Sequence, residues 1–89
     1  MKAIVGVFAK DSKGITAYVT ALLAEKEINI LDISQSVMRE YFAMIMLVDI
    51  TALSVSFADF AAAMKQVGVD KGLEIHTMHE DIFNSMHRI

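Results

Sequence analysis

The segment "YFAMIMLVDI", residues 41–50, constrains this chain more than any other. From Tyr41 to Val48 every residue is apolar, at odd and even positions alike, so a strand made from it offers water no polar face. The run is far too short for a membrane helix, which needs roughly 20 apolar residues. It reads as a central strand with neighbours on both edges and cover above and below.

The rest of the chain supplies those neighbours. Lys2 to Ala9 is a short Val- and Ile-rich run closed by Lys10 and Asp11, a second buried strand. From Lys13 the period changes: Ile15, Val19, Leu22 and Leu23 recur at helical spacing, and Glu25, Lys26 and Glu27 close the stretch. "NILDISQSVM" alternates, with Leu31, Ile33 and Val37 on one side and Asp32, Ser34 and Ser36 on the other, a strand with one wet face. A tight turn near Arg39 and Glu40 leads into the central strand. Ser56 followed by Asp59 resembles a capping box, and Phe57, Phe60, Ala61, Met64 and Val67 share a helical face that ends near Gly72. "LEIHTMH" makes a fourth strand. "EDIFNSMHRI", residues 80–89, adds a short amphipathic helical tail with Ile82, Phe83 and Met86 inward and Glu80 and Asp81 at its start.

The order strand, helix, strand, strand, helix, strand with right-handed crossovers gives an α+β ferredoxin-like fold: a four-stranded antiparallel sheet with both helices on one face. At 89 residues, without linker or repeat, residues 1–89 form a single domain. The helices cover one face only. Yet Ile4 and Phe8 oppose Val5 and Val7 across the first strand, and Tyr41, Ala43, Ile45 and Leu47 oppose Phe42, Met44, Met46 and Val48 across the third. With 55% hydrophobic residues, the chain has apolar surface left over, and a second copy is the simplest cover, giving a homodimer. The seven methionines fit as core and interface filler.

Several function classes are disfavoured. There is no cysteine for a disulfide, a zinc-thiolate site or a nucleophile. A net charge of -3, with eight basic residues spread singly, argues against nucleic acid. Phe8 and Phe42 only faintly mimic the aromatic pair of the RNA-recognition fold. The start of the chain has no signal-like apolar core, which points to a soluble, cytoplasmic protein with no membrane partner. His76 and His79, three apart in a strand, point to opposite faces and cannot share a metal, and His87 lies in the tail. Ser12, Ser34, Ser36 and Ser54 have no base placed beside them, so no catalytic residue, metal or cofactor is expected.

Gly14 stands where the first helix begins, although almost any other residue favours a helix more. First-turn N–H groups lack intrahelical partners and attract anions, and a missing side chain lets a carboxylate approach. Gly14 equally suits a tight strand-to-helix turn, with Asp11 or Ser12 as N-cap. "KDSKGI" after the first strand, "INILDISQ" opening the second, and the segments "YFAMIMLVD" and "HEDIFNSMHRI" resemble the ACT domain, a small regulatory module that senses amino acids. The likeness covers essentially the whole chain. It is nearest to stand-alone single-ACT proteins of bacteria and archaea and to the ACT half of glycine-cleavage repressors. It implies a non-enzymatic regulator with an amino acid held between subunits: Asp11, Gly14 and Ile15 from the first loop of one, Asn29 and Ile30 from the start of the second strand of the other. In that arrangement the ligand ammonium meets Asp11 and Asn29, and its carboxylate meets the N–H groups of Gly14 and Ile15. Some relatives carry a polar contact two positions before the aspartate, where this chain has Ala9. Two other readings remain: a ligand-free dimerisation or protein-interaction module, and, more distantly, an acylphosphatase, whose first-loop arginine is replaced here by Lys10 and Lys13.

Overall fold

The computed structural model describes residues 1–10 and 14–81. Six elements follow in order: β1 (Lys2–Ala9), α1 (Ile15–Glu25), β2 (Asn29–Met38), β3 (Tyr41–Asp49), α2 (Phe57–Lys71) and β4 (Glu74–His79). The sheet order is β2-β3-β1-β4 and every pairing is antiparallel, the ferredoxin-like arrangement expected from the element order. The expected tail falls almost wholly outside the described residues, of which Glu80 and Asp81 turn helical after β4.

Register decides which side chains share a face. Val5 pairs with Met46 and Val7 with Met44, and all four are fully buried beneath the helices. Val19, Leu23, Phe60 and Met64 close the core from above. The opposite, open face carries Ile4 beside Leu47, Gly6 beside Ile45 and Phe8 beside Ala43. Both parities of β1 and β3 are therefore apolar, and Met44 and Met46 belong to the helix-covered side.

The two helices are closed differently. The N-cap of α2 is Ser56, whose Oγ accepts the Asp59 N–H at 3.1 Å, with Asp59 in the first turn. Its far end packs too tightly for a side chain at Gly68, where a Cβ would stand 2.7 Å from the Leu73 carbonyl oxygen. Gly72 then ends the helix in the left-handed region at φ 73°. The N-cap of α1 is Gly14 itself, also left-handed at φ 73°, with no side-chain cap. The expectation that Asp11 or Ser12 caps α1 falls on residues outside those the structure describes. A glycine adopts this backbone without the roughly 1–2 kcal/mol that an L side chain costs there.

In β2 simple alternation fails at Leu31. Ile30 faces Val48 while Asp32 faces Leu47, so one extra residue is inserted as a bulge. Ile30 and Ile33 both lean on the core, whereas Leu31 and Val37 are exposed, so β2 is a wet edge strand with apolar residues on it.

Candidate functional site

The strand-to-helix turn at Gly14 opens into a cleft of about 290 Å³ lined by Gly14, Ile15, Tyr18, Lys71 and Leu73. Each wall follows from the fold. Gly14 and Ile15 begin α1, Tyr18 is one turn further along, and Lys71 and Leu73 flank the Gly72 turn between α2 and β4. A Cβ built on Gly14 meets nothing within 4 Å among the described residues, so among them this glycine answers to a backbone conformation and not to close packing. The Lys71 ammonium lies 5.0 Å from the centre of the Tyr18 ring, where a cation is attracted to the π face. Among the described residues Lys71 forms no ion pair.

Ile15 is 8% exposed and its side chain belongs to the core, so what it offers a ligand is its backbone N–H. The N–H groups of the first helical turn have no intrahelical acceptor. Together with the Lys71 cation they make one electropositive end of a cleft whose other described walls are aromatic and aliphatic. A carboxylate suits that end. Thr16 donates through Oγ1 to the Gln35 side-chain oxygen at 3.4 Å, which links the start of α1 to β2.

Asn29 and Ile30 lie elsewhere. Asn29 pairs with Asp49 and Ile30 with Val48, next to the start of β1, whereas α1 begins beyond the other end of that strand. The eleven residues of α1 span about 16 Å, and the eight residues of β1 separate its two ends by about 26 Å. One chain therefore brings Gly14 and Ile15 together but holds Asn29 and Ile30 at the opposite end. Asp11 lies outside the described residues. Asn29 is exposed, while the Ile30 side chain packs against the core.

Beside Asn29 in register stands Asp49. Its Oδ1 accepts from the Thr51 hydroxyl at 2.6 Å and from the Thr51 N–H at 2.9 Å. Those two hydrogen bonds hold the carboxyl below the ordinary aspartate range, helped by the amino terminus and Lys2. Reading the sequence missed Asp49, Tyr18 and Lys71. Lys71 lies near Gly14 only because α2 ends above the start of α1, and no local pattern reports such a contact.

Two larger clefts of about 360 and 370 Å³ lie between α2 and β4 and beneath the turn after β3. His76 and His79 stand on opposite faces of β4, beside Phe8 and Phe57 respectively. Among the described residues no group of three His, Cys, Asp or Glu is placed to hold a metal, and no helix is long and apolar enough to cross a membrane.

The sequence pattern of the ACT domain matches residues 2–78. A UPF0237 protein of Clostridium acetobutylicum is 49% identical over 89 residues, covering 100% of both chains. The solved ACT domain protein from Streptococcus pneumoniae is 36% identical, superposes with a TM-score of 0.83 and is matched over 93% of each chain. A protein described as a glycine cleavage system transcriptional repressor shares the fold, with a TM-score of 0.68 at 18% identity, over 85% of this chain and 43% of its own.

Proposed function

The chain belongs to the ACT-domain family, and from that premise we propose that it is a non-enzymatic regulatory protein whose homodimer binds a small metabolite of the amino-acid class and passes that state to a partner. The observation that carries this reading is the separation of the two walls. Gly14 and Ile15 stand at one end of the sheet and Asn29 and Ile30 at the other, so they meet only across two copies.

The β2 edge suits that meeting. It is exposed along most of its length, with no strand paired to its outer side among the described residues and Val37 62% exposed there. Two β2 strands paired antiparallel about their midpoints set the end of one beside the start of the other, and so bring Gly14 of one copy toward the partner's Asn29. The ligand carboxylate then binds the first-turn N–H groups of α1 and the Lys71 ammonium, and its ammonium binds the Asn29 oxygen with Asp49 behind it. Asp11, from the loop before α1, is the second proposed partner of the ligand ammonium.

A thermal-shift and calorimetric screen of the twenty amino acids tests the reading, because a ligand of the folded state raises the melting temperature with the logarithm of its concentration. A dimer mixed from Gly14→Val and Asn29→Ala chains locates the site, since one of its two sites keeps both walls intact. Binding at half the parent stoichiometry supports a site between subunits, and full or zero stoichiometry refutes it. If the parent binds no amino acid yet dimerises, the second reading takes over, a ligand-free dimerisation or protein-interaction module. The exposed apolar residues of β2 favour it equally.

A further inference from the structure

Strand β4 forms the edge of the sheet opposite β2. Among the described residues no strand pairs with its outer side, so the outward N–H and C=O groups of Glu74–His79 have no sheet partner there. Those groups border a groove. Helix α2 runs alongside, and the cleft of about 360 Å³ lies between the two, with Ala61, Lys65 and Val69 on its helix wall at every fourth residue and Ala62 beside them. At Gly68 the helix stands too close to Leu73 and Ile75 for any side chain. Nearer its start, the short side chains of Ala61 and Ala62 leave room beside the strand.

The chemistry of the groove states what fits it. A row of backbone donors and acceptors is matched along its length by another extended backbone. The six residues of β4 span about 20 Å, which sets the length of such a segment. Its charge sits in the middle: about 9 Å of helix and about 10 Å of strand lead from the Gly72 turn to Lys65 and to Thr77. Lys65 is exposed and forms no ion pair among the described residues, whereas Glu74, at one end, lies 3.3 Å from His76. The Thr77 hydroxyl oxygen is buried and has no hydrogen-bond partner among them, and a rotation about one bond turns it toward the groove. A second copy of this edge fits poorly. Two β4 strands paired two-fold about their midpoints bring one Lys65 toward the other, like charge to like. An acidic side chain at that point is attracted instead.

We propose that the groove between α2 and β4 takes an extended segment of a partner protein, which adds to β4 as a further strand. The segment is about six residues long, β-branched or otherwise apolar toward α2, with one acidic side chain opposite Lys65. This edge is distinct from the Gly14 cleft and from the β2 edge, so the inference stands whether or not the chain binds an amino acid.

Hydrogen exchange of the full chain, read amide by amide at low and at high micromolar concentration, tests whether the edge is free. Selection from a displayed library of random peptides supplies the probe. Alternate amides of residues 74–79 should exchange rapidly in the free chain at both concentrations and slow by at least about tenfold with the selected peptide bound. That peptide should carry Asp or Glu between β-branched residues and no proline within the paired stretch. Ala62→Trp fills the groove from an exposed position and should weaken the peptide by more than about tenfold. Lys65→Glu should weaken it about fivefold at low salt and prefer the same peptide with lysine in place of its acid. Circular dichroism verifies folding, and Lys65→Glu, a surface change, carries the test should Ala62→Trp fail to fold. Slow exchange in the free chain at both concentrations points to a segment of the same chain on the edge, and slowing that grows with concentration points to a second copy. Either result overturns the proposal, as does a library that yields no binder or a peptide indifferent to both substitutions. A peptide weakened by Ala62→Trp but not by Lys65→Glu overturns the acidic centre and keeps the groove.

Discussion

Helices α1 and α2 lie side by side on one sheet and begin in opposite ways. Helix α2 completes its own N-terminus: the Ser56 hydroxyl occupies one first-turn N–H and Asp59 answers the helix dipole. Among the described residues, helix α1 has neither a capping side chain nor an acid in its first turn, and Gly14 adds no atoms to the space outside. The contrast shows where the molecule closes on itself and where it leaves hydrogen-bonding capacity for something else. The Lys71 ammonium, carried there by the end of α2, adds charge of the same sign as the exposed N–H groups, as an anion would require.

Filling the open start should have the largest effect. Gly14→Val forces a β-branched residue into the left-handed region, costing about 1–2 kcal/mol of stability or more, and blocks the approach of a carboxylate. Calorimetry should show binding weakened by well over tenfold. Gly14→Asn separates the two causes, because asparagine tolerates that backbone far better. It should restore most of the stability and little of the binding.

Lys71→Met should come next. A hydrogen bond to a charged group is worth about 1.5–3 kcal/mol when buried, and solvent exposure at Lys71 reduces this, so a loss of roughly tenfold in affinity with an unchanged melting temperature is expected. The same substitution of Lys65, which lines the cleft between α2 and β4, should leave affinity unchanged.

At the closed start the pattern reverses. Ser56→Ala should cost about 1 kcal/mol, a fall of roughly 4–8 °C in melting temperature, and leave affinity as it was. Equal losses of affinity in Ser56→Ala and Gly14→Asn would dissolve the distinction between the two helix starts.

The smallest effect concerns Asp49, whose turn is closed by Thr51 much as α2 is closed by Ser56. Its carboxyl has a folded-state pKa below the ordinary value. The stability it lends is therefore fully present above the ordinary aspartate range and is lost as pH falls through the folded-state value. Asp49→Asn should therefore lower stability slightly at neutral pH and leave it unchanged below the folded-state pKa, slightly flattening the acid limb of a stability-against-pH curve; the exposure of the group keeps the effect small.

The same contrast bears on what the sequence reveals. Helix α2 is legible because its start is written in adjacent residues, a serine with an aspartate three positions later, and β3 because both its faces are apolar. The bulge at Leu31 leaves no such mark: an inserted leucine among Ile30, Asp32 and Ile33 keeps the look of alternation while it shifts the phase of one end of the strand. Gly14 is legible as an anomaly, but whether it serves a turn or a ligand depends on φ and on empty space, neither of which is spelled in neighbouring residues. Lys71 and Asp49 enter the two walls through contacts distant in sequence. The core of the fold is thus readable from periodicity, and the chemistry of the site is not.

The strand order has a consequence for synthesis on the ribosome. β1 is the first strand made, yet it sits between β3 and β4, and β4 is the last. Until residues 74–79 have left the exit tunnel, a nascent chain can pair β1 on one side only, and the row from Ala3 to Phe8 keeps its other backbone edge bare. The sheet cannot close before residues 74–79 have been made. Until then the apolar first strand needs shelter, from the ribosome surface or from a chaperone.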